Sequence, residues 1–138
     1  DLYIIIAGCG QTGASLALRL SREGHDIAVI DRTSKSFDLL GHGFNGLTVV
    51  GVPIDEDVLK EAGIENADAL AAMTSDDNMN IMISEIARKL YKVGVVVMRA
   101  DTPEREDVLA KLGYETVCPT RLAVDLFEEK ILKGASHI

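Results

Sequence analysis

Cysteine is scarce in this sequence. Cys9 and Cys118 are the only two in 138 residues, too few for a disulfide framework and without the clustered Cys/His spacing of a zinc site. No metal site is expected, and a reducing, cytoplasmic setting is. Long hydrophobic runs are missing too. The longest, such as Val93 to Met98, fall far short of a bilayer's thickness, so no direct membrane insertion is expected, although service to a membrane protein is compatible with it. Positive charge is the third shortage. Fourteen Lys and Arg face 22 Asp and Glu, a net charge of −8, which argues against nucleic acid or an anionic membrane surface as the main partner. The deficit is uneven, because residues 1–54 hold four basic and five acidic side chains. An anion is least repelled in that first third.

What is present is a regular alternation of short apolar runs and longer helical patterns, the signal of repeated βα units and a parallel sheet. Leu2 to Ala7 is a continuous apolar run, as in a strand buried on both faces. An apolar helix face follows over Ala14 to Leu20, and Asp26 to Asp31 reads as the second strand. Ser34 to Leu40 is predicted as a short helix, Leu47 to Val50 as the third strand, and Asp57 to Ala62 as another short helix. Ala69 to Met73 is the fourth strand. The long helix Asp76 to Leu90 carries Met79, Met82, Ile83, Ile86 and Leu90 at spacings of three and four, with Met79 and Met82 read as core fillers rather than a cofactor box. Gly94 to Ala100, Pro103 to Leu112, Thr116 to Cys118 and Arg121 to Leu132 complete the series as strand, helix, strand and helix. Six strands predict an α/β fold, a Rossmann-like doubly wound parallel sheet with helices on both faces; a five-stranded flavodoxin-like sheet is the alternative. Residues 1–138 are expected to form a single dinucleotide-binding domain.

Gly8, Gly10 and Gly13, in the run Gly8-Cys9-Gly10-Gln11-Thr12-Gly13, form a glycine pattern that is weak alone. Its setting strengthens it. The pattern follows a buried strand, opens a helix and precedes Asp31, 18 residues beyond Gly13 at the end of the next strand. Gly8 allows a tight turn, Gly10 lets a pyrophosphate approach the backbone, and Gly13 lets helix and strand pack closely. The helix N-terminus offers free N–H donors and partial positive charge, so an anion needs no basic side chain there. Asp31 is placed to accept hydrogen bonds from an adenosine ribose and to repel a 2′-phosphate, while Arg32 beside it leaves the phosphorylated cofactor open. The bland alternative is that the glycines only turn the chain and Asp31 only caps a strand end.

The opening IIIAGCGQTGASLALRLSREGHDIAVID, the spacing Thr74-x-x-Asp77-x-x-Asn80, the strand ending in Arg99 and the segment KLGYETVCPT together resemble the regulator of potassium conductance domain, also called the KTN or TrkA N-terminal domain, over nearly the whole chain. The resemblance implies that Gly8, Gly10 and Gly13 line the phosphates, with Cys9, Gln11 and Thr12 completing the cofactor-binding loop, and that Asp31 holds the ribose; Cys9 itself reads as a packed small hydrophobe rather than a reactive thiol. Arg32 would flank the adenine or phosphates, Thr74 would close over the ligand, and Arg99 would lie at its mouth. The ligand so implied is NAD(H) or another adenine nucleotide, ATP, ADP or AMP. The implied partners are copies of the chain in a homodimer or larger ring, and a membrane potassium transporter or channel subunit on the cytoplasmic face. For Thr74 the alternative is a helix N-cap, and for Arg99 a surface ion pair. The sequence departs from the family twice. Gly51-Val52-Pro53-Ile54-Asp55 lacks the carboxylate often found at its second position, and Gln11 stands where many members carry Arg.

An enzyme needs catalytic groups beyond a cofactor loop. His25, His42 and His137 are scattered, and Tyr91 and Lys92 are adjacent rather than four apart, so no hydride-transfer constellation is legible. A regulatory binding module is the reading preferred, a small NAD-dependent oxidoreductase domain the alternative. Residues 120–133 carry Leu122, Val124, Leu126, Phe127, Ile131 and Leu132, more apolar surface than covering one strand requires. This terminal helix is expected to pack on a second subunit; otherwise it lies down on its own sheet.

Overall fold

β1 (Tyr3–Ala7) is the centre of the sheet, because its run of aliphatic side chains is buried on both faces. The computed structural model describes residues 1–138. β1 pairs in parallel with β2 (Asp26–Asp31) on one side and β4 (Ala69–Ala72) on the other. β3 (Leu47–Val50) extends the sheet beyond β2, and β5 (Val95–Arg99) and β6 (Glu115–Val117) extend it beyond β4. The order β3-β2-β1-β4-β5-β6 is the doubly wound arrangement that the βα alternation predicts. It reverses direction at β1 and β4, where such sheets open a crevice at the carboxyl ends of their strands.

The two faces are covered by different helices. α1 (Gln11–Arg22) and the 3₁₀ segment Ser34–Leu40 cover Ile4, Ile6, Ile27 and Val29. α2 (Glu56–Glu61), α3 (Asp77–Glu85) and α4 (Pro103–Lys111) cover the opposite face, packing on Ile5, Ile30, Leu70 and Met98. One stretch stays bare. On the α1 side of β4, β5 and β6 runs a groove of about 330 Å³ lined only by apolar side chains, among them Leu16, Leu20, Ala71, Val95, Val97 and Val117.

Two expectations need correction. α3 ends its α-helical part at Glu85 and continues as a π-type turn over Ile86–Leu90. Its buried stripe is Asn80, Ile83, Ser84 and Ala87, whereas Met82 and Leu90 are exposed and Met79 and Ile86 only half-buried. The apolar spacing points to a neighbouring face, because hydrogen-bonded polar side chains occupy two of the buried positions. The final helix, α5 (Pro119–Ala135), is longer than predicted, and it does not adopt the alternative placement on its own sheet. None of its residues is buried, and Phe127 and Ile131 are 68% and 65% exposed. Its root is fixed by Arg121, which donates to Glu106, Asp107 and the Pro103 carbonyl at 2.7, 3.0 and 3.2 Å.

Candidate functional site

Three of the five helices begin with a side-chain cap. Asp55 accepts from Asp57 N–H at α2, Asp76 from Asn78 and Met79 at α3, and Thr102 from Arg105 at α4. α1 begins at Gly10, with no side-chain cap and no acid in its first turn. α5 shares that lack, but the first turn of α1 lines the cleft, where its N–H donors and the positive end of its dipole can serve an anion. The approach is built by glycines. Gly8, at φ +113°, turns the chain out of β1 beside the Met73 carbonyl, where a Cβ would stand 2.7 Å away. At Gly13 a Cβ would overlap the carbonyl oxygen of Gly8, so helix and loop meet only because that position is bare. Gly10 differs, since nothing lies within 4 Å of its Cβ direction. Its openness faces the cleft.

Asp31 ends β2 and reaches back to this loop. One carboxylate oxygen accepts the Cys9 N–H and the other the Thr33 N–H, both at 2.9 Å. Each oxygen keeps a lone pair, so Asp31 both fixes the loop and retains acceptors for a ligand's hydroxyls. Cys9 points away from this chemistry. Its thiol is buried, donates to the Ser36 carbonyl at 3.4 Å, and is pushed up to about 11 by burial and then by the Asp31 charge. It is a packed small side chain rather than a thiolate nucleophile.

All ten residues singled out in the sequence, Gly8, Cys9, Gly10, Gln11, Thr12, Gly13, Asp31, Arg32, Thr74 and Arg99, line one cleft of about 460 Å³ at the carboxyl ends of the strands. Seven more complete it: Thr33, Ser36, Pro53, Met73, Ser75, Asp76 and Met79. Those seven carry no motif. The rule that such ligands sit beyond strand ends is the one signal that points to Pro53 after β3 and Met73 after β4. Thr74 is not the cap of α3, which is Asp76. Instead its N–H and its hydroxyl donate to the Asn80 side-chain oxygen at 3.0 and 2.7 Å. Arg99 is only loosely held, 3.4 Å from the Thr74 carbonyl and 3.8 Å from Asp101. Arg32 and Arg99 are the cleft's cations, Asp31 and Asp76 its anions, and none of the three histidines lines it.

A glycine-built loop, a free helix start and a strand-end aspartate occur in many dinucleotide-binding proteins; the remainder of the chain narrows the choice. The TrkA-N domain model matches residues 4–119, from β1 to the root of α5. The chain belongs to the TrkA-N domain family. Over 136 residues it is 43% identical to the Trk system potassium uptake protein TrkA of Streptomyces coelicolor, covering 99% of this chain and 61% of that protein. This TrkA-N domain thus spans less than two thirds of that relative's length. Among solved structures it is similar to the Kef CTD of Shewanella denitrificans in AMP bound form, at 27% identity and TM-score 0.79, covering 96% of this chain and 82% of that one. It is also similar to the GsuK RCK domain, at 25% identity and TM-score 0.83, covering 99% of this chain and 29% of that one.

Proposed function

We propose that this TrkA-N domain is the nucleotide-sensing regulatory part of a potassium uptake or channel system, acting on the cytoplasmic side. The cleft takes NAD(H) or another adenine nucleotide, with the phosphates on the first turn of α1 and the ribose hydroxyls on Asp31. The observation that carries this reading is the uncapped, acid-free start of α1, joined to Asp31 through the Cys9 N–H. The AMP named for the Kef relative and the potassium uptake named for the Streptomyces one support it. Regulation rather than redox turnover is favoured because the cleft offers neither a histidine nor a reactive thiol to move a proton or attack a substrate. Residues 1–138 act as one domain in this reading.

Regulation also needs a second surface, since a ligand shifts only an equilibrium between arrangements that it binds unequally. Two apolar surfaces on this chain lack partners: the stripe of α5 and the bare groove of β4, β5 and β6. Exposed apolar patches of this extent are uncommon on monomers, so α5 is assigned to contact with another copy. No helix of the chain is long and apolar enough to cross a membrane, and a membrane transporter or channel subunit is the partner on which the assembly acts. Light scattering at micromolar concentration, with and without AMP or NAD, tests the assembly. The expected result is a dimer or larger ring whose size or shape responds to nucleotide, and Phe127→Glu is expected to weaken it. A monomer in both conditions refutes the assembly, and an oligomer indifferent to nucleotide refutes the switch.

A further inference from the structure

The buried face of α3 holds a group that the nucleotide reading does not use. Asn80 is completely buried, where an unpartnered amide would be costly. Every capacity of its side chain is taken. Oδ1 accepts the Thr74 N–H at 3.0 Å and the Thr74 hydroxyl at 2.7 Å. Nδ2 donates to the Thr74 carbonyl and to the Arg99 carbonyl, both at 3.0 Å. The orientation is forced, since turning the amide over would set NH₂ against a donor and oxygen against two carbonyls.

The place of these bonds gives them their meaning. The β4–β5 ladder ends at the pair Ala72 and Met98, while Thr74 and Arg99 lie beyond it, on the wall of the cleft facing the glycine loop. We propose that Asn80 is a positioning residue for nucleotide binding: its amide continues the strand pairing past the end of the ladder and holds Thr74 and Arg99 as one wall. The proposal rests on the cleft being a nucleotide site. A hydrophobic residue would fill the space and release the Thr74 segment from Arg99, which β6 still holds through Val117, and Asp would keep acceptors but lose both donors. Arg99, in loose contact through its guanidinium, is then a mobile cation on a fixed backbone, able to turn toward phosphate without moving its strand. Asp77 reinforces the wall from the same helix, accepting the Asp101 N–H at 3.1 Å and lying 3.3 Å from Arg105 Nε.

The test is calorimetric titration of the whole chain with NAD⁺, and separately AMP, between about pH 5 and pH 8. Asn80→Ala is expected to lose affinity by about tenfold or more at every pH, because it leaves the Thr74 N–H without a partner and takes one donor from each of the Thr74 and Arg99 carbonyls. Asn80→Asp is expected to lose at least as much at high pH and to recover with NAD⁺ as pH falls, because a protonated carboxyl donates to one of the two carbonyls again. Burial and the neighbouring Asp76, Asp77 and Asp101 raise that carboxyl's pKa, and Arg99 and Arg105 oppose them. The recovery separates positioning from mere structure: a lower melting temperature with native affinity in both variants, or an Asn80→Asp profile parallel to that of Asn80→Ala, overturns the proposal. If neither variant folds, hydrogen exchange on the native protein decides. A Thr74 amide protected before NAD⁺ is added, and little shifted by it, supports the prebuilt wall; a freely exchanging one refutes it. Absence of heat from the native protein with either ligand refutes the nucleotide reading itself, whereas native binding with unaffected variants refutes only the role of Asn80.

Discussion

Gly13→Ala is expected to destabilise the fold by at least about 3 kcal/mol, a loss at the top of the range for overpacking. Alanine in a helix is ordinarily the better residue by up to about 1 kcal/mol, so the naive expectation has the opposite sign. It loses here because the added Cβ meets the carbonyl oxygen of Gly8, with Gly8 C 3.3 Å and Ile6 Cγ2 3.6 Å away. The overlap is with backbone, which has no rotamer to escape into. Gly8 itself is held at φ +113° by β1 on one side and by its N–H bond to the Ile30 carbonyl, 2.8 Å, on the other. Relief therefore means moving α1 off the sheet and opening the cluster of Ile4, Ile6, Ala14 and Ala17. Urea denaturation checks this, with Gly43→Ala as the control, since nothing lies within 4 Å of that position. A Gly13→Ala midpoint equal to that of the native protein contradicts the packing described here.

Gly10→Val is expected to leave the fold standing and remove nucleotide binding, by about 100-fold or more in Kd. Three residues from Gly13, it reverses the balance. No atom lies within 4 Å of the added Cβ, and the backbone at φ −84° and ψ −168° is the extended conformation β-branched residues favour. The cost to stability is that of a poorer helix cap, about 1 kcal/mol. The new methyl groups occupy the space in front of the α1 N–H donors, so a pyrophosphate would forfeit several charge-assisted hydrogen bonds, each worth about 1.5–3 kcal/mol. Calorimetry with AMP and NAD⁺, beside a denaturation curve, separates the two effects. Native affinity in Gly10→Val shows that the phosphates lie elsewhere.

How far these features are legible in the sequence depends on how local their causes are. β2 and β3 match their predicted bounds, and the loop from Gly8 to Gly13 opens α1 as its pattern implies, because continuous apolar runs and glycine punctuation act over a few residues. The face of α3 is not legible in that way. Asn80 is buried because its partners include Arg99, 19 residues on, and no helical periodicity records a hydrogen bond to a distant strand end. The capping role of Asp76 is equally hidden, since Thr74 and Asp76 are both good cap residues and the choice falls to Asp76 once Asn80 takes the Thr74 hydroxyl. Pro53, Met73 and Ser36 enter the cleft for the same reason. They come from three separate crossovers and meet only when the sheet has formed. The apolar stripe of α5 is plain in the sequence, but that none of it is buried by the chain itself depends on the direction set by Arg121 at its root.

The central claim is that the start of α1 and Asp31 together hold an adenine nucleotide, and titration of the native protein with AMP, NAD⁺ and NADP⁺ tests it most directly. Asp31 keeps one free lone pair on each oxygen after bonding Cys9 and Thr33, which suits the two hydroxyls of an unmodified ribose and opposes a 2′-phosphate. Saturable binding of AMP and NAD⁺ is expected, with NADP⁺ weaker by about tenfold or more, the effect of setting a phosphate against a carboxylate. Absence of binding by all three, or NADP⁺ binding the tightest, contradicts it.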